Sequence, residues 1–588
     1  MKHHAARPPD AFQTFLEAIA QPAAFPPDAE VAANATISII QTHASAVLLT
    51  ETRVYKLKKP VNLEFLDYSS AERRRSFCIE ECVINQALAP GVYLGVAPVI
   101  SQPDGTPRFG AVFPIEQIEQ TPAIGDRIED GAVTDFAVVM RRLPESCTLA
   151  SLVDAGMANA DLLRMVARAT ATFHLSAENG PPFAPYGTVE TVLANIMQTL
   201  EQAKADIGGT LSARAHATIQ GYITQFIARR RELLESRLRA GWVRDCHGDL
   251  RLEHVYAMPQ KSESGQEGQD KIELLMIDRI EFDPRFRYGD VAGEIAFLVV
   301  ELERAGRPDL ARAFTRAYIE ETGDNSLLEA LPLYQVYRAL VRGKVRSILH
   351  KQPGVNAKIR ASAREDAEAM YGLAAHHAAT PVEPVIALIG GLMGVGKSTL
   401  AHTLHDELGW PVLTSDIIRK RMAGVPLSAP VSATNQRGIY TADWDRRVYG
   451  RLLEEGSARL VEGHSILFDA TFTRRDHRQM IAKLARETGA RAIFLECVCP
   501  RDVALRRLDA RWRAKTQLQG VSGERDTIFA SDGRPEIYDR QAQRWEPYEA
   551  NAEPDMDHAV INTTWPSPRQ TERALTALNI PRLACWLD

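Results

Sequence analysis

The feature that most constrains this chain of 588 residues is the glycine-rich segment GLMGVGKST, which directly follows the apolar run VIALIG. The segment matches the pattern G-x-x-x-x-G-K-[ST] at every required position, between a strand-like run and a predicted helix. In such a loop the backbone N–H groups surround phosphate oxygens, and the lysine reaches the β and γ phosphates. The predicted phosphate loop consists of Gly391, Leu392, Met393, Gly394, Val395, Gly396, Lys397, Ser398 and Thr399.

The chain around this loop alternates between short apolar strands and helices. After VIALIG come the runs PVLTS, SILFDAT, AIFLECV and HAVINTT, and helices are predicted over 397–408, 474–488 and 501–514. This alternation is typical of a parallel sheet with helices on both faces. We therefore predict a P-loop domain with a doubly wound parallel sheet over residues 384–588.

Polar residues that follow these strands are candidates for phosphoryl-transfer chemistry. In LTSDIIRKRM, Asp416 is predicted to orient or deprotonate an acceptor hydroxyl, and Arg419 to clamp a phosphate or the acceptor. Asp469, at the end of SILFD, and Ser398 are predicted to bind Mg²⁺. The helix RDVALRRLDAR is predicted to close over the phosphates with Arg506, Arg507 and Arg511.

A second motif of phosphoryl transfer, unrelated to the first, lies in CHGDLRLEHVY. Asp249 stands where a catalytic-loop aspartate accepts or orients the substrate hydroxyl, and His254 stands five residues later, at a metal-ligand position. Downstream, Asp278 ends the strand-like run LLMID and is predicted to bind Mg²⁺. Farther on, Asp290 is predicted to brace the catalytic loop.

The opposite side of this site requires a strand lysine that pairs with a helix glutamate. The run RVYKLKKPV offers Lys56, or Lys58 on the same side of the strand, and FCIEECVINQAL offers Glu81, or Glu80 beside it. We assign ATP binding to Lys56 and Glu81 and leave both alternatives open. The run AVVMRRL is predicted to be the hinge strand that holds adenine.

These motifs, in this order, resemble the aminoglycoside phosphotransferase family, which also includes choline kinase. The resemblance implies a bilobal, protein-kinase-like phosphotransferase fold, with an N-lobe over 30–142 and a helical C-lobe over 143–375 that carries the catalytic loop. Residues 1–29 are predicted to be a preceding segment, and 376–383, around Thr-Pro-x-x-Pro, a linker.

The region after the linker resembles the small P-loop kinases, a group that contains gluconate kinase, zeta toxin-like kinases and the 5′-kinase domain of polynucleotide kinase. The whole chain is similar to bacterial fusion proteins that join an aminoglycoside phosphotransferase-like half to a P-loop kinase half. This resemblance implies a bifunctional, ATP- and Mg²⁺-dependent kinase whose acceptor is a hydroxyl of a small molecule or of a nucleic-acid end.

Two departures from the family pattern keep a second interpretation open. His254 stands where the phosphotransferase family places an asparagine, and Mg²⁺ prefers oxygen ligands. The segment THASAVLLTETRVYKLKK also contains no glycine to cover a phosphate. Either Asp278 mainly holds the metal, or Mn²⁺ serves instead, or the first half is a pseudokinase in a nucleotide-gated regulatory protein.

Composition adds little to these motifs. The net charge of −6 does not indicate stable nucleic-acid binding, and the sequence leaves the oligomeric state open. No apolar run is long enough to predict a membrane span. The seven cysteines lack zinc spacing and are predicted to be free thiols, which favours a cytoplasmic location.

Overall fold

The structure is a computed structural model. It describes residues 9–29, 31–42, 44–63, 66–120, 126–128, 131–260, 271–352, 355–379, 381, 383–427, 438–461, 464–517 and 533–578. The chain divides into two compact units, one of residues 1–198 and 231–339 and the other of residues 199–230 and 340–588. Helical segments 199–230 and 340–378 are therefore grouped with the P-loop region, whereas the sequence-based boundaries follow the chain in order.

The first unit begins with an antiparallel sheet. The elements of this part are α1 (Pro9–Ile19), β1 (Ser38–Gln41), β2 (Ser45–Leu49), β3 (Arg53–Lys58), β4 (Asn62–Leu63), β5 (Leu66–Asp67), α2 (Ala71–Asn85), β6 (Tyr93–Ser101), β7 (Pro107–Phe109), β8 (Arg127–Ile128) and β9 (Gly131–Arg141). The main sheet has the order β1-β2-β3-β9-β6-β7, and β8 pairs with β9.

Helix α2 packs against β9 and β6, with the Cys78 and Cys82 side chains in the core beneath it. Both are free thiols, as predicted. The helix begins at an N-cap, Ser70, whose side chain accepts a hydrogen bond from the Arg73 N–H. This packing places the buried face of α2, which includes Glu81, toward strand β3.

The rest of the first unit is mostly helical. Its elements, which include helices shared with the second unit, are α3 (Leu149–Asp154), α4 (Ala160–Ser176), α5 (Val189–Ala203), α6 (Ala213–Arg239), β10 (Val243–Asp245), β11 (Val255–Gln260), β12 (Lys271–Met276), α7 (Pro284–Arg287), β13 (Tyr288–Asp290), α8 (Val291–Arg304), α9 (Pro308–Thr322) and α10 (Leu327–Lys351). Strands β11 and β12 pair antiparallel, and residues 261–270 between them lie outside the described residues.

The second unit contains a five-stranded parallel sheet. Its further elements are α11 (Ala357–Ala378), β14 (Val385–Gly390), α12 (Lys397–Leu408), β15 (Val412–Thr414), α13 (Ser415–Met422), α14 (Ala442–Val461), β16 (Ile466–Asp469), α15 (Arg475–Thr488), β17 (Arg491–Val498), α16 (Arg501–Gln517), α17 (Pro535–Gln543), β18 (Asp557–Asn562) and α18 (Ser567–Ala577). The strand order is β15-β16-β14-β17-β18, and every pair is parallel.

Alternate residues of the central strand β14 enter two separate cores. Ile386 and Leu388 pack in a core shared with α13, α14 and α15, whereas Ala387 and Ile389 pack in a core shared with α12 and α18. Because successive strand side chains point to opposite faces, an all-apolar strand such as VIALIG requires helices on both sides. The sheet is covered in this way.

Among the helices that the structure describes, none combines the length and the apolar character needed to cross a lipid bilayer.

Candidate functional site

The phosphate loop follows β14, the central strand of the parallel sheet. Asp469 ends the neighbouring strand β16, and Asp416 lies in the first turn of α13, directly after β15. In an open parallel sheet the carboxyl ends of the strands lie at one edge, where ligands bind. This edge therefore brings the loop and both predicted aspartates together.

Three glycines give the loop a shape that other residues would obstruct. Gly391 and Gly394 have φ values of +129° and +76°. A Cβ added at Gly391 would lie 2.3 Å from the Cys497 carbonyl oxygen, and one at Gly394 would lie 2.7 Å from that of Ala504. Helix α12 begins right after Gly396, and the first N–H groups of a helix have no intrahelical partner, so they are available to phosphate oxygens.

A half-buried cation and a buried carboxylate lie at this loop. Lys397 Nζ donates a hydrogen bond to the Leu392 carbonyl at 2.8 Å. Burial lowers the pKa of Lys397, although the Asp469 carboxylate opposes that shift. Burial likewise raises the pKa of Asp469, while Lys397 and a hydrogen bond with the Ser398 side chain oppose it. The Ser398 and Asp469 oxygens are hard donors of the kind that Mg²⁺ prefers, so the donor set fits the predicted ion.

Asp416 lies within electrostatic range of both Lys397 and Asp469, as its predicted role requires. Arg419 differs from its prediction. Its Nη2 pairs with Asp445 at 2.7 Å and its Nη1 donates to the Ile439 carbonyl at 2.7 Å, in a largely buried position. A guanidinium with these partners holds α13 against α14, so the structure does not leave Arg419 as a free clamp for phosphate.

The three predicted lid arginines have different surroundings. Arg506 forms an exposed ion pair with Asp502 at 2.7 Å, one turn earlier on the same helix. Arg507 donates to the Thr563 carbonyl at 2.9 Å and to the Thr563 hydroxyl at 3.0 Å, which fixes α16 to the end of β18. Arg511 is near enough to Lys397 to lower its pKa. Arg507 also donates to the Val395 carbonyl of the loop at 3.4 Å, so Arg507 and Arg511 both lie at the loop.

In the first unit, Glu81 pairs with both candidate lysines. Its two carboxylate oxygens accept from Lys56 Nζ at 2.8 Å and from Lys58 Nζ at 2.7 Å. Glu80 instead lies 3.5 Å from Arg287 and is half exposed. Lys56 also reaches Asp278 at 2.5 Å, and Lys58 reaches Glu281. Lys56 is thus the lysine that joins Glu81 to the predicted metal-binding aspartate.

The charges of this cluster stabilise one another. Burial alone would lower the pKa of Lys56, but the Asp278 and Glu81 carboxylates raise it well above its ordinary value. For Asp278, burial acts to raise the pKa, and Lys56 and His254 bring it below its usual range. The Asp278 backbone has a positive φ of 66°, which is uncommon for a residue other than glycine.

The catalytic loop is held by side chains on both of its sides. His247 Nε2 donates to the Ile277 carbonyl at 2.9 Å, and His247 Nδ1 accepts from the Asp249 N–H at 3.3 Å. Burial lowers the pKa of His247, which favours the neutral ring that this pattern needs. Asp249 itself stays partly exposed, with its carboxylate 3.6 Å from Arg251. It is therefore accessible to an acceptor.

The prediction that Asp290 braces the catalytic loop is wrong. Its carboxylate binds Arg237 Nε at 2.8 Å and caps α8 through the Ala292 N–H. The brace is Glu294, one turn later, which accepts from the N–H groups of His247, Gly248 and Leu250. Glu294 interrupts the apolar run VAGEIAFLVV at the start of α8, and this interruption was the sequence signal for the role.

Glu294 makes the fold sensitive to acid. Burial acts to raise the pKa of Glu294, but His174, His247 and the Gly248 N–H bring it down from 4.5 to about 2. A depressed folded-state pKa contributes stability above pH 4.5, and this contribution of about 3 kcal/mol is lost as the pH falls toward 2. We therefore expect Glu294→Gln to lower the unfolding free energy at pH 7 by about 2 kcal/mol.

Urea denaturation at pH 7 and at about pH 4 measures this difference. The difference in unfolding free energy between wild type and Glu294→Gln should be smaller by about 1 kcal/mol at the lower pH. The reason is that the wild-type carboxylate begins to be protonated in the unfolded chain. The exposed Glu320→Gln is the control and should show no such change. A gap that stays constant with pH would contradict the assignment of the ionised carboxylate as the brace.

His254 is oriented as a metal ligand would be. Its Nδ1–H donates to the Asp249 carbonyl at 2.8 Å, which leaves the lone pair on Nε2. That nitrogen lies 3.7 Å from Asp278 Oδ2, the oxygen that Lys56 does not bind. One imidazole nitrogen and one carboxylate oxygen are two donors for a divalent cation, and the nitrogen suits Mg²⁺ less well than an oxygen does. His254 therefore fits a divalent cation even though it replaces asparagine.

The fold and the loop geometry define the second unit as a P-loop nucleotide-binding module. Residues 386–526 match the family described as an AAA domain, a match that covers the phosphate loop, Asp416 and Asp469.

The chain is also similar to known proteins over longer stretches. Uncharacterized proteins of Mycobacterium tuberculosis and Mycobacterium bovis are 28% identical over 475 residues, which cover 81% of this chain and 86% of each relative. A sugar kinase structure from Janibacter is 21% identical and covers 34% of this chain and 96% of its own, with a TM-score of 0.23. A choline/ethanolamine kinase family structure from Mesorhizobium loti is 12% identical and covers 62% of this chain and 98% of its own, with a TM-score of 0.33.

Proposed function

We propose that this chain is an ATP- and Mg²⁺-dependent phosphotransferase with two kinase-type modules. The observation that carries the proposal is that Lys397, Ser398 and Asp469 lie together at the phosphate loop. Asp416 lies within electrostatic range of both Lys397 and Asp469. A loop that binds phosphate requires only N–H groups and a lysine. A second carboxylate beside the metal-binding pair is what a kinase needs to act on an acceptor hydroxyl.

In the second unit, the loop N–H groups and Lys397 would hold the β and γ phosphates, and Ser398 and Asp469 would hold Mg²⁺. The ion, when bound, neutralises phosphate charge during transfer. Asp416 would orient the acceptor hydroxyl and accept its proton. Arg511 would add positive charge near the transferring group. Arg419 would act indirectly, by fixing the helix that carries Asp416.

In the first unit, Asp249 would orient the acceptor hydroxyl and accept its proton, while Lys56 would bind ATP phosphates and Glu81 would position that lysine. Asp278 and His254 would hold the divalent cation. The acceptor of each unit would be a hydroxyl of a small molecule or of a nucleic-acid end. We place both activities in the cytoplasm because the described cysteines are free thiols.

A second candidate function is a nucleotide-gated regulatory protein whose first unit binds ATP without turnover. His254 in place of an oxygen ligand favours this candidate, as does the ion pair of Lys56 with Asp278, which occupies one metal-binding oxygen. This alternative predicts that nucleotide in the first unit changes the activity of the second, with no product from the first.

Transfer of label from γ-labelled ATP tests the proposal. The full chain is incubated with Mg²⁺ or Mn²⁺, a metabolite extract and short DNA and RNA oligonucleotides, beside Asp249→Asn and Asp416→Asn. Each variant should lower the label on its own product by about a hundredfold and leave the other product unchanged, because each loses one general base.

The result also separates the two candidate functions. Two products, each lost in one variant, support two active modules. One product that only Asp416→Asn removes favours the regulatory candidate. Unchanged turnover in Asp416→Asn would contradict the role of that aspartate, and label on oligonucleotides alone would identify nucleic-acid ends as the acceptor.

A further inference from the structure

A pocket in the first unit opens beside the catalytic loop. Gly248, the residue before Asp249, lines it together with the short helix α7 and a face of α10. Gly248 has a φ of +92°, and a Cβ there would lie 2.7 Å from the Phe286 carbonyl oxygen. Only glycine therefore lets the catalytic loop lie this close to α7. The pocket therefore lies against the backbone of the catalytic loop, one residue before Asp249.

The carboxylates that line this pocket already have hydrogen-bond donors. Asp290 binds Arg237 Nη2 at 2.7 Å and Nε at 2.8 Å. Glu294 accepts the N–H groups of the catalytic loop, including Gly248 at 3.1 Å. Asp290 also accepts from the Ala292 N–H, and Arg237 is shared with Asp324. An amine in the pocket would therefore find the oxygens of both carboxylates already occupied by donors.

The arginines that line the pocket differ in whether they have a carboxylate partner. Arg287 pairs with Asp245 at 2.7 Å, and Arg285 pairs with Asp283 at 2.7 Å. Arg338 differs from both, because no carboxylate of the described residues lies within ion-pair distance of it. Its Nε donates to the Gly293 carbonyl at 2.8 Å. Arg338 is thus the arginine of the pocket that has no carboxylate partner among the described residues, and its positive charge is available to an anion.

Aromatic rings hold Arg338 in place and line the rest of the pocket. The guanidinium carbon lies 4.1 Å from the Phe297 ring centre and 5.3 Å from that of Tyr337. Gly293 leaves room for the Tyr334 ring, which a Cβ would approach to 3.2 Å. Four tyrosines are among the lining residues, Tyr186, Tyr288, Tyr334 and Tyr337. Flat apolar faces beside one fixed cation suit a ring that carries an anionic group.

We propose that this pocket binds the acceptor of the first unit, and that the acceptor is a ring-containing alcohol with a carboxylate or phosphate group, which Arg338 recognises. The inference rests on the proposed kinase function, because it assigns the pocket to the acceptor of Asp249. It differs from what a resemblance to choline and aminoglycoside kinases implies, since their acceptors are cations. The discriminating feature is the sign of the charge at Arg338.

Calorimetric titration of the full chain with three probes of one shape tests the charge preference. The probes are para-(hydroxymethyl)benzoate, para-(hydroxymethyl)phenyl phosphate and para-(hydroxymethyl)phenyl trimethylammonium. We expect at least one anionic probe to bind about tenfold or more tightly than the ammonium probe, and the stronger of the two anions identifies the group. Tighter binding of the ammonium probe, or no difference among the three, would overturn the inference.

Variants then test the residue. Arg338→Met should weaken binding of the preferred anion by about tenfold or more, because a charge-assisted hydrogen bond is lost. Arg338→Lys should retain part of the affinity, and the exposed Arg312→Met should retain all of it. Thermal melting by circular dichroism shows whether each variant is folded. Full affinity in a folded Arg338→Met protein would refute the assignment.

Label transfer to the same probes separates this inference from the proposed function. An anion that binds through Arg338 but receives no label would contradict kinase activity of the first unit and leave the binding site standing. Label on the ammonium probe alone would support the kinase and overturn the charge assignment.

Discussion

Replacing Lys397 by methionine is expected to lower phosphoryl transfer by the second unit about a thousandfold or more. Its ammonium is the one lysine charge inside the phosphate loop, where it contacts the Leu392 carbonyl at 2.8 Å. Charge placed in advance at a transferring phosphoryl group, in a site shielded from water, has effects of this size. Methionine has a similar length and no charge, so it removes the attraction with little change in packing.

The same variant should leave the fold intact. Burial lowers the pKa of Lys397, which means that its charge is held against a desolvation cost. Removing the charge removes that cost as well, and we expect a small change in the unfolding free energy. Calorimetric titration with a non-hydrolysable ATP analogue should show one nucleotide site fewer per chain, with any site in the first unit preserved.

The exposed Lys483→Met is the matched control, because its ammonium lies in a solvated pair with Glu487. This control should keep the wild-type rate of phosphoryl transfer and the wild-type number of nucleotide sites per chain. Normal label transfer in Lys397→Met, together with normal transfer in Lys483→Met, would show that the loop binds something other than the reacting phosphates.

Local sequence signals predicted the second unit well. The helix predicted over 397–408 has those bounds in α12, and the helix predicted over 474–488 is α15 within one residue. Glycine, proline and apolar periodicity act over a few residues, so a single sequence reveals them. The strand order β15-β16-β14-β17-β18 is different, because it depends on which crossovers pack against which face. Nothing in the local pattern states it.

Side-chain partners across long sequence distances account for the errors at the sites. Arg419 was assigned to phosphate because it stands three residues after Asp416, but its partner Asp445 lies on another helix. Similarly, Asp290 and Glu294 were both available to the catalytic loop, and only the packing of α8 shows that Glu294 reaches it. A motif gives the type of residue and its spacing. It does not show which other side chain of the fold pairs with that residue.

The lysine pair shows a further limit of the motif. Lys56 and Lys58 lie two residues apart on β3, so their side chains leave the same face of the strand. The two positions therefore share the same residue type and the same face of the strand, and the sequence pattern does not distinguish them. The difference is in their second partners, Asp278 for Lys56 and Glu281 for Lys58. The roles of the two lysines therefore depend on the loop after β12, which carries Asp278 and Glu281 and lies against β3.

Glu81→Gln is expected to lower the unfolding free energy of the first unit by about 2–3 kcal/mol. Glu81 is fully buried, and each of its oxygens binds one of the two lysines. Burial acts to raise the pKa of Glu81, but both lysines lower it, so the carboxylate is ionised when folded. A neutral amide leaves each lysine one carboxylate, Asp278 for Lys56 and Glu281 for Lys58, but sets its NH2 group, a hydrogen-bond donor, against one of the two ammonium groups. Leaving a buried charged donor without its acceptor has a cost of this size.

Glu80→Gln, one residue earlier on the same helix, is the control. Glu80 is half exposed and 3.5 Å from Arg287, so its loss should change the unfolding free energy by less than about 0.5 kcal/mol. Urea denaturation at low and high salt separates the two further, since salt screens exposed charges and hardly reaches buried ones. The Glu81→Gln deficit should persist in about 1 M NaCl. Equal effects of the two variants, or loss of the deficit in salt, would show that Glu81 does not hold the lysines, and Lys56 would then lack the position that phosphate binding in the first unit requires.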